Sequence, residues 1–255
     1  MSVKKIFIRF LGYLLTPVYL VLFVLLLIVF HPVQVICWNF WGYRAHKRSV
    51  EILNLLIIRF MIILGARVSF KGFEKLPHGR PIILISNHQS MFDIPPITWG
   101  FRNYHPKFIS KKELGRGLPS ISYNLKVGGS ILIDRSKGQQ ALQEIEKLGR
   151  YIEANNFTAC IFPEGTRTKD GKMKSFKPGG IQALIKASPS AVVVPFVIDG
   201  NYELLKKGIY PMQFGIRLNY IVLDPIEPST VDSGDVSKMA ETAIRDALES
   251  RHAKL

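Results

Sequence analysis

Residues 81–93 read PIILISNHQSMFD. An uncharged apolar run of strand length reads as a strand buried on both faces. At Asn87 the run gives way to Asn-His-Gln-Ser-Met-Phe-Asp, followed by Pro95-Pro96. That switch puts polar side chains where an α/β fold opens a crevice, at the carboxyl ends of its strands. Three further runs look the same: SILID at 130–134, TACIF at 158–162 and AVVVPFVI at 191–198, and residues 216–223 add another. Helical periodicity fills the intervals. Leu142, Ile145, Leu148 and Ile152 share a face of 139–154, as do Val236, Met239, Ala243, Ile244 and Leu248 further on. Alternating strands and helices predict an α/β fold, a mixed, largely parallel sheet flanked by helices, over residues 67–255.

Ahead of that domain, residues 1–66 read as a hydrophobic helical membrane anchor. Residues 10–30, FLGYLLTPVYLVLFVLLLIVF, carry no charge over about one bilayer thickness of helix. Gly12 and Pro17 are tolerated there if the backbone groups they free find partners. The run ends at His31-Pro32, with Trp38 and Trp41 beyond; a cleaved leader would end in small residues. A second run, 52–66, carries Arg59 in its middle. Because arginine costs about 2.5–3.5 kcal/mol at the centre of a spanning helix, this run reads as a surface helix or as the returning arm of a hairpin. Lys4, Lys5 and Arg9 precede the first run, Arg44, Lys47 and Arg48 follow it, and residues 1–50 contain no acid. Positive charge on both flanks conflicts with a single pass. The expectation is a hairpin or re-entrant anchor with both ends on the cytoplasmic face of the inner (plasma) membrane; one pass with the domain outside is the alternative.

Composition narrows the class of function. Hydrophobic residues are 47% of the 255, which excludes a disordered chain. The only two cysteines, Cys37 and Cys160, exclude a disulfide scaffold or a cysteine-rich zinc site and suit a reducing compartment. His31, His46, His78, His105 and His252 show no ligand spacing, so no metal site is expected. The 34 lysines and arginines outnumber the 19 acids, for a formal charge of +15, and residues 101–186 hold 16 bases against 7 acids. Such an excess steers anionic lipid, or an acidic carrier protein, toward the domain.

The candidate chemistry lies in two blocks. His88 and Asp93 are five residues apart, which does not align them on a regular helix, although a loop entering a helix can bring them together. A carboxylate bonded to one imidazole nitrogen fixes the tautomer and leaves the other nitrogen as a base. In Phe162-Pro163-Glu164-Gly165-Thr166-Arg167, proline ends a strand, glycine permits a tight turn, and Arg167 offers a planar fork suited to phosphate. Together with Lys111 to Leu114, Pro119, Gly129, Ile133 to Arg135, Phe176-Lys177-Pro178-Gly179 and Val194-Pro195-Phe196, these blocks occur in an order and spacing that resemble the 1-acylglycerol-3-phosphate (lysophosphatidate) acyltransferase family of glycerolipid acyltransferases. The resemblance covers roughly residues 70–225.

It implies an enzyme of phospholipid biosynthesis that transfers a fatty acyl group to the sn-2 hydroxyl of lysophosphatidate, giving phosphatidic acid. The catalytic pair would be His88, as general base, and Asp93. Arg167, Lys111 and Arg135 would hold the acceptor's phosphate. Glu164, Gly165 and Thr166 would complete the substrate site, with bracing of the turn as the alternative for Glu164 and a structural role for Thr166. The expected partners are membrane lipid and an acyl thioester, either acyl-CoA or acyl carrier protein, with no further cofactor and no nucleic acid. Two positions depart from the family pattern: Ser122 stands where a glycine is common, and residues 198–202 are unusually polar. Other lysophospholipids or lyso-aminolipids remain alternative acceptors. A thioesterase or lipase is disfavoured because no G-x-S-x-G elbow occurs.

Overall fold

The N-terminal helix α1 spans Val3–Phe60, helical throughout except at Gly42 (φ 70°, ψ −160°). The computed structural model describes residues 3–134, 136–231 and 233–253, so Arg135 lies outside the described residues. A straight helix from Thr16 to Leu64 would be about 70 Å long. Yet Thr16 Oγ1 accepts from Met212 N at 3.0 Å, and Leu64 O accepts from Gly215 N at 2.8 Å, only three residues further along the same segment. The chain therefore doubles back at Gly42, in a conformation glycine adopts at no steric cost. Across the bend the rings of Trp38 and His46 meet edge to face at 5.6 Å. The second apolar run is thus the returning arm of a hairpin, with Leu53, Ile57, Ile58 and Leu64 buried. The first arm keeps Phe10, Leu14, Val21, Val29 and Trp41 exposed. It is long and apolar enough to cross a membrane, and only 11% of its most apolar window is buried.

The strands are β1 (Arg67–Lys71), β2 (Ile82–Ser86), β3 (Pro106–Lys111), β4 (Ile131–Ile133), β5 (Thr158–Ile161), β6 (Val192–Asp199) and β7 (Arg217–Val222). They form one seven-stranded sheet in the order β1-β7-β6-β2-β5-β3-β4. Every pairing is parallel except β6 with β7, as the mixed, largely parallel expectation required. All of β2, β5 and β6 is buried, the consequence of helices covering both faces. Side chains alternate between two cores. Ile82, Leu84, Cys160, Val194 and Phe196 face the hairpin arms and α2 (Ile94–Gly100). Ile83, Ile85, Ile161, Val193 and Val197 face α4 (Gly138–Asn155), α5 (Pro178–Ala187) and α7 (Ser233–His252). The hairpin is therefore one layer of the fold. Two short helices complete the chain order, α3 (Ile121–Val127) between β3 and β4 and α6 (Asn201–Leu205) between β6 and β7.

Neither β1 nor β3 is legible as a buried run. β1 is a partly exposed edge strand, and β3 carries Lys107, 3% exposed. That ammonium donates to Gly128 O (2.7 Å) and to Tyr43 Oη (2.8 Å) on the returning arm, and Tyr43 Oη in turn donates to His105 Nδ1 (2.7 Å). It also lies over the rings of Tyr43 and Phe157. Burial, with Lys47 nearby, lowers the Lys107 pKa from 10.5 to about 8. Between those values the unfolded chain binds the extra proton and the folded chain does not, so stability rises with pH across that window. A gain of up to about 3 kcal/mol is expected in detergent, read by chemical denaturation. It should vanish in Lys107→Met.

Candidate active site

Where β2 ends, Asn87 continues its pairing with β6 through its side chain. Its Nδ2 donates to Ile198 O and its Oδ1 accepts from Ile198 N, both at 2.8 Å. The next residue is tied to the 162–168 loop from both sides: His88 N donates to Glu164 Oε1 (2.7 Å), and His88 O accepts from Thr168 N (2.9 Å). A single turn at Met91–Asp93 follows, and Ser90 and Asp93 cap it reciprocally. Ser90 Oγ accepts from Phe92 N (3.0 Å), and the Asp93 carboxylate accepts from Ser90 N (2.9 Å). This capping box explains how a five-residue spacing closes. The same Asp93 Oδ2 accepts from Gln89 N and from His88 Nδ1, each at 2.7 Å.

Asp93 is wholly buried. Its Oδ1 accepts from Asn201 Nδ2 (2.8 Å), and Asn201 Oδ1 accepts from Tyr220 Oη (2.9 Å); both of these residues are also fully buried. A chain of hydrogen bonds thus runs Tyr220–Asn201–Asp93–His88. The proton on Nδ1 is committed to the carboxylate, which leaves Nε2 as the nitrogen able to take another. The imidazole stacks on Phe162 at 4.1 Å, and its side chain is 12% exposed.

His88 lines a cavity of about 570 Å³. Lys111, Thr166 and Arg167 line it with His88, while Phe23 and Leu27 of the outgoing arm and Leu53 and Ile57 of the returning arm supply an apolar wall. The tract after β3 supplies Leu114, Leu118 and Leu125. It is fastened to the hairpin by Ser120, whose Oγ donates to Leu27 O at 2.8 Å. Ser122, in place of the common glycine, donates to Leu114 O (2.9 Å) and accepts from Leu118 N (3.0 Å), so it closes the turn.

Two of the other expected substrate residues have different surroundings. Glu164 is 4% exposed, and its second oxygen accepts from Lys174 N at 3.0 Å. With Oε1 on His88 N, both oxygens are spent on backbone, so Glu164 braces two loops; it does not line the cavity. Burial raises its pKa. Gly165 makes the turn at φ 74° and also lies off the cavity lining. Thr166 Oγ1 accepts from Lys174 Nζ at 2.7 Å, and Lys174 Nζ also donates to Arg167 O at 2.9 Å.

Lys174, Asn201, Tyr220 and the capping role of Ser90 escaped the sequence reading. Only Ser90 carried a local signal, the S-x-x-D spacing before a turn. Asn201, in the unusually polar stretch, reaches Asp93 across 108 residues. As a positioning residue, its replacement by alanine should lower kcat by about tenfold, the lower end of what outer partners of a functional histidine contribute. The KM should not change. Steady-state kinetics separate this from a general loosening, which would raise KM as well.

The fold and this site define an acyltransferase. The acyltransferase family model matches residues 67–199, more than half of the chain, and the chain belongs to that family. Its curated relatives are narrower in name. The chain is 26% identical over 200 residues to the 1-acyl-sn-glycerol-3-phosphate acyltransferase alpha of Mus musculus, covering 78% of this chain and 69% of that protein. It is 26% identical over 208 residues to the beta form of Homo sapiens (79% and 72%). It is 27% identical over 239 residues to the 1-acyl-sn-glycerol-3-phosphate acyltransferase of Limnanthes douglasii (94% and 78%). The crystal structure of a 1-acyl-sn-glycerophosphate acyltransferase from Thermotoga maritima superposes with a TM-score of 0.70 at 24% identity, covering 98% of this chain and 97% of that one. That likeness establishes a shared fold.

Proposed function

We propose that the protein transfers a fatty acyl group from acyl-CoA or acyl carrier protein to the free sn-2 hydroxyl of 1-acylglycerol-3-phosphate, making phosphatidic acid. The observation that carries this reading is one cavity combining a carboxylate-held histidine, two cations and an apolar wall. His88 Nε2 takes the proton of the acceptor hydroxyl while Asp93 stabilises the imidazolium. The freed oxygen attacks the thioester carbonyl, and the tetrahedral intermediate expels the thiolate, which receives the proton from His88. No acyl-enzyme forms. Because an ordinary thiol has a pKa near ~8.5, the leaving group needs little acid assistance, and one positioned base suffices.

Arg167 and Lys111 hold the acceptor's phosphate. Arg167→Ala should raise the KM for lysophosphatidate by about ten- to a hundredfold, as expected for charged hydrogen bonds. The turnover of a phosphate-free monoacylglycerol should be unaffected by the same change.

The hairpin holds the enzyme at the cytoplasmic face of the membrane, where acceptor and product both reside. The names of the relatives support the choice of acceptor. Purified full-length protein, supplied with lysophosphatidate and each donor in turn, should form phosphatidic acid, identified by mass. Preferential acylation of lysophosphatidylglycerol or a lyso-ornithine lipid would overturn the head-group assignment.

A further inference from the structure

The loop between α6 and β7 carries Lys206-Lys207-Gly208-Ile209-Tyr210, and all five residues are exposed. Exposed apolar residues scattered singly need no explanation, but this pair is not scattered. Ile209 is 52% exposed and Tyr210 51%, and Tyr210 touches the first arm of the hairpin. Its ring meets that of Tyr13 edge-on at 5.6 Å, and its Oη lies 3.5 Å from Tyr13 O. Two residues further on, Met212 N donates to Thr16 Oγ1, and a side chain on Gly12 would strike Met212 O. The loop is thus pinned to residues 12–16 of α1.

Tyr13 belongs to a stripe. Phe10, Tyr13, Pro17, Val21, Val24 and Ile28 recur at three- and four-residue spacing, which sets them on one face, and every one is exposed. They lie on the arm that is long and apolar enough to cross a membrane. Tyr210 therefore widens that apolar surface near its N-terminal end, where cations gather. The Arg9 guanidinium is 5.8 Å from the centre of the Tyr13 ring, and Lys207 is close enough to act electrostatically on the Tyr13 hydroxyl. Lys206 is shared with Glu203 at 3.2 Å. Tyrosine rings flanked by exposed cations match a head-group layer, in which the rings settle at the polar boundary and each cation gains about 1 kcal/mol from anionic lipid. We infer that residues 206–210 form a second point of membrane contact, seating Ile209 and Tyr210 among anionic head groups whose phosphates Lys207 and Arg9 meet. The inference rests on the proposed attachment of the hairpin to a bilayer, and the chemistry at His88 is unchanged by it. A contact off the axis of α1 would stop the domain from rolling about that helix.

The test reads position and needs no turnover. Cys37→Ser leaves the buried Cys160 as the only native thiol. In that full-length background, Ile209→Cys, Val29→Cys and Met239→Cys each carry an environment-sensitive fluorophore. Val29 is exposed on the first arm; Met239 is exposed on α7, which packs on the opposite face of the sheet. The vesicles are phosphatidylcholine alone or mixed equally with phosphatidylglycerol, with lipid-bound nitroxides placed shallow or deep. In the mixed vesicles the label at 209 should shift to the blue and be quenched by the shallow nitroxide. The label at 29 should be quenched as well, and that at 239 by neither nitroxide. Lys207→Glu should weaken the contact at 209 about fivefold, the equivalent of about 1 kcal/mol, while Lys238→Glu on the far face leaves it unchanged. Quenching at 29 without quenching at 209 would overturn the inference and leave the attachment of the hairpin standing; quenching at neither would overturn both. Equal contact at 209 in the two lipid mixtures would overturn the anionic partner. Shielding of 209 that follows protein concentration instead of lipid would make a second copy the occupant and overturn the membrane contact.

Discussion

His88→Ala is expected to lower kcat for acyl transfer by about 10²–10⁴-fold, the usual contribution of a positioned general base. The fold should survive the change. The imidazole occupies a partly open position against Phe162, and the backbone bonds of residue 88 to Glu164 and Thr168 do not involve the side chain. Asp93 would lose one of its donors but keep Gln89 N, Ser90 N and Asn201 Nδ2. A melting midpoint near that of wild type, with the KM for lysophosphatidate little changed, would separate a chemical defect from a structural one. Retention of turnover in the alanine variant would remove His88 from the mechanism.

Asp93→Asn tests the other half of the pair and has a less obvious outcome. An amide in place of the carboxylate has one oxygen to offer. The arrangement of lowest cost keeps that oxygen toward His88 Nδ1, Gln89 N and Ser90 N, and turns the new NH2 group toward Asn201. Asn201 can answer by flipping its own amide, since the Tyr220 hydroxyl beyond it can accept as well as donate. The stability cost is therefore held to about 1–2 kcal/mol. What cannot be repaired is the charge. Without the carboxylate, the imidazolium formed as His88 takes the acceptor's proton has no counter-ion, and a loss in kcat is expected that approaches but does not exceed the about 10²–10⁴-fold of His88→Ala. Urea denaturation and steady-state rates on the same preparation would resolve the two effects. A loss of activity no larger than the loss of stability explains would mean that Asp93 is a helix cap and nothing more.

The parts of the molecule that could be read from sequence share a physical property: their signal is local. β2, β5 and β6 are buried on both faces and so appear as unbroken apolar runs, and α4 shows its stripe because one face packs on the sheet. β1 gave no such signal because polar Arg67, Ser69 and Lys71 alternate with its apolar residues, and β3 gave none because it is interrupted by Lys107, which is held by Tyr43, a residue 64 positions away. The site divides along the same line. His88, Asp93 and Arg167 stand in contiguous blocks whose order is recognisable. Glu164 enters through the same recognisable block, with bracing of the turn as its alternative, and the two amides its carboxylate accepts come from residues 88 and 174, partners that no nearby spacing announces. Asn201 and Tyr220 belong to the site through contacts that no nearby spacing announces.

Leu27, Leu53 and Ile57 serve at once as core packing for the sheet and as lining for the reaction chamber. On the proposed attachment of the hairpin to a bilayer, the tether and the wall of the chamber are one object. Cutting the chain ahead of β1 would not yield a free-floating catalyst but an opened vessel, with Leu84, Cys160 and Phe196 bared to water. Leaving the membrane and ceasing to work would then be a single event for this enzyme.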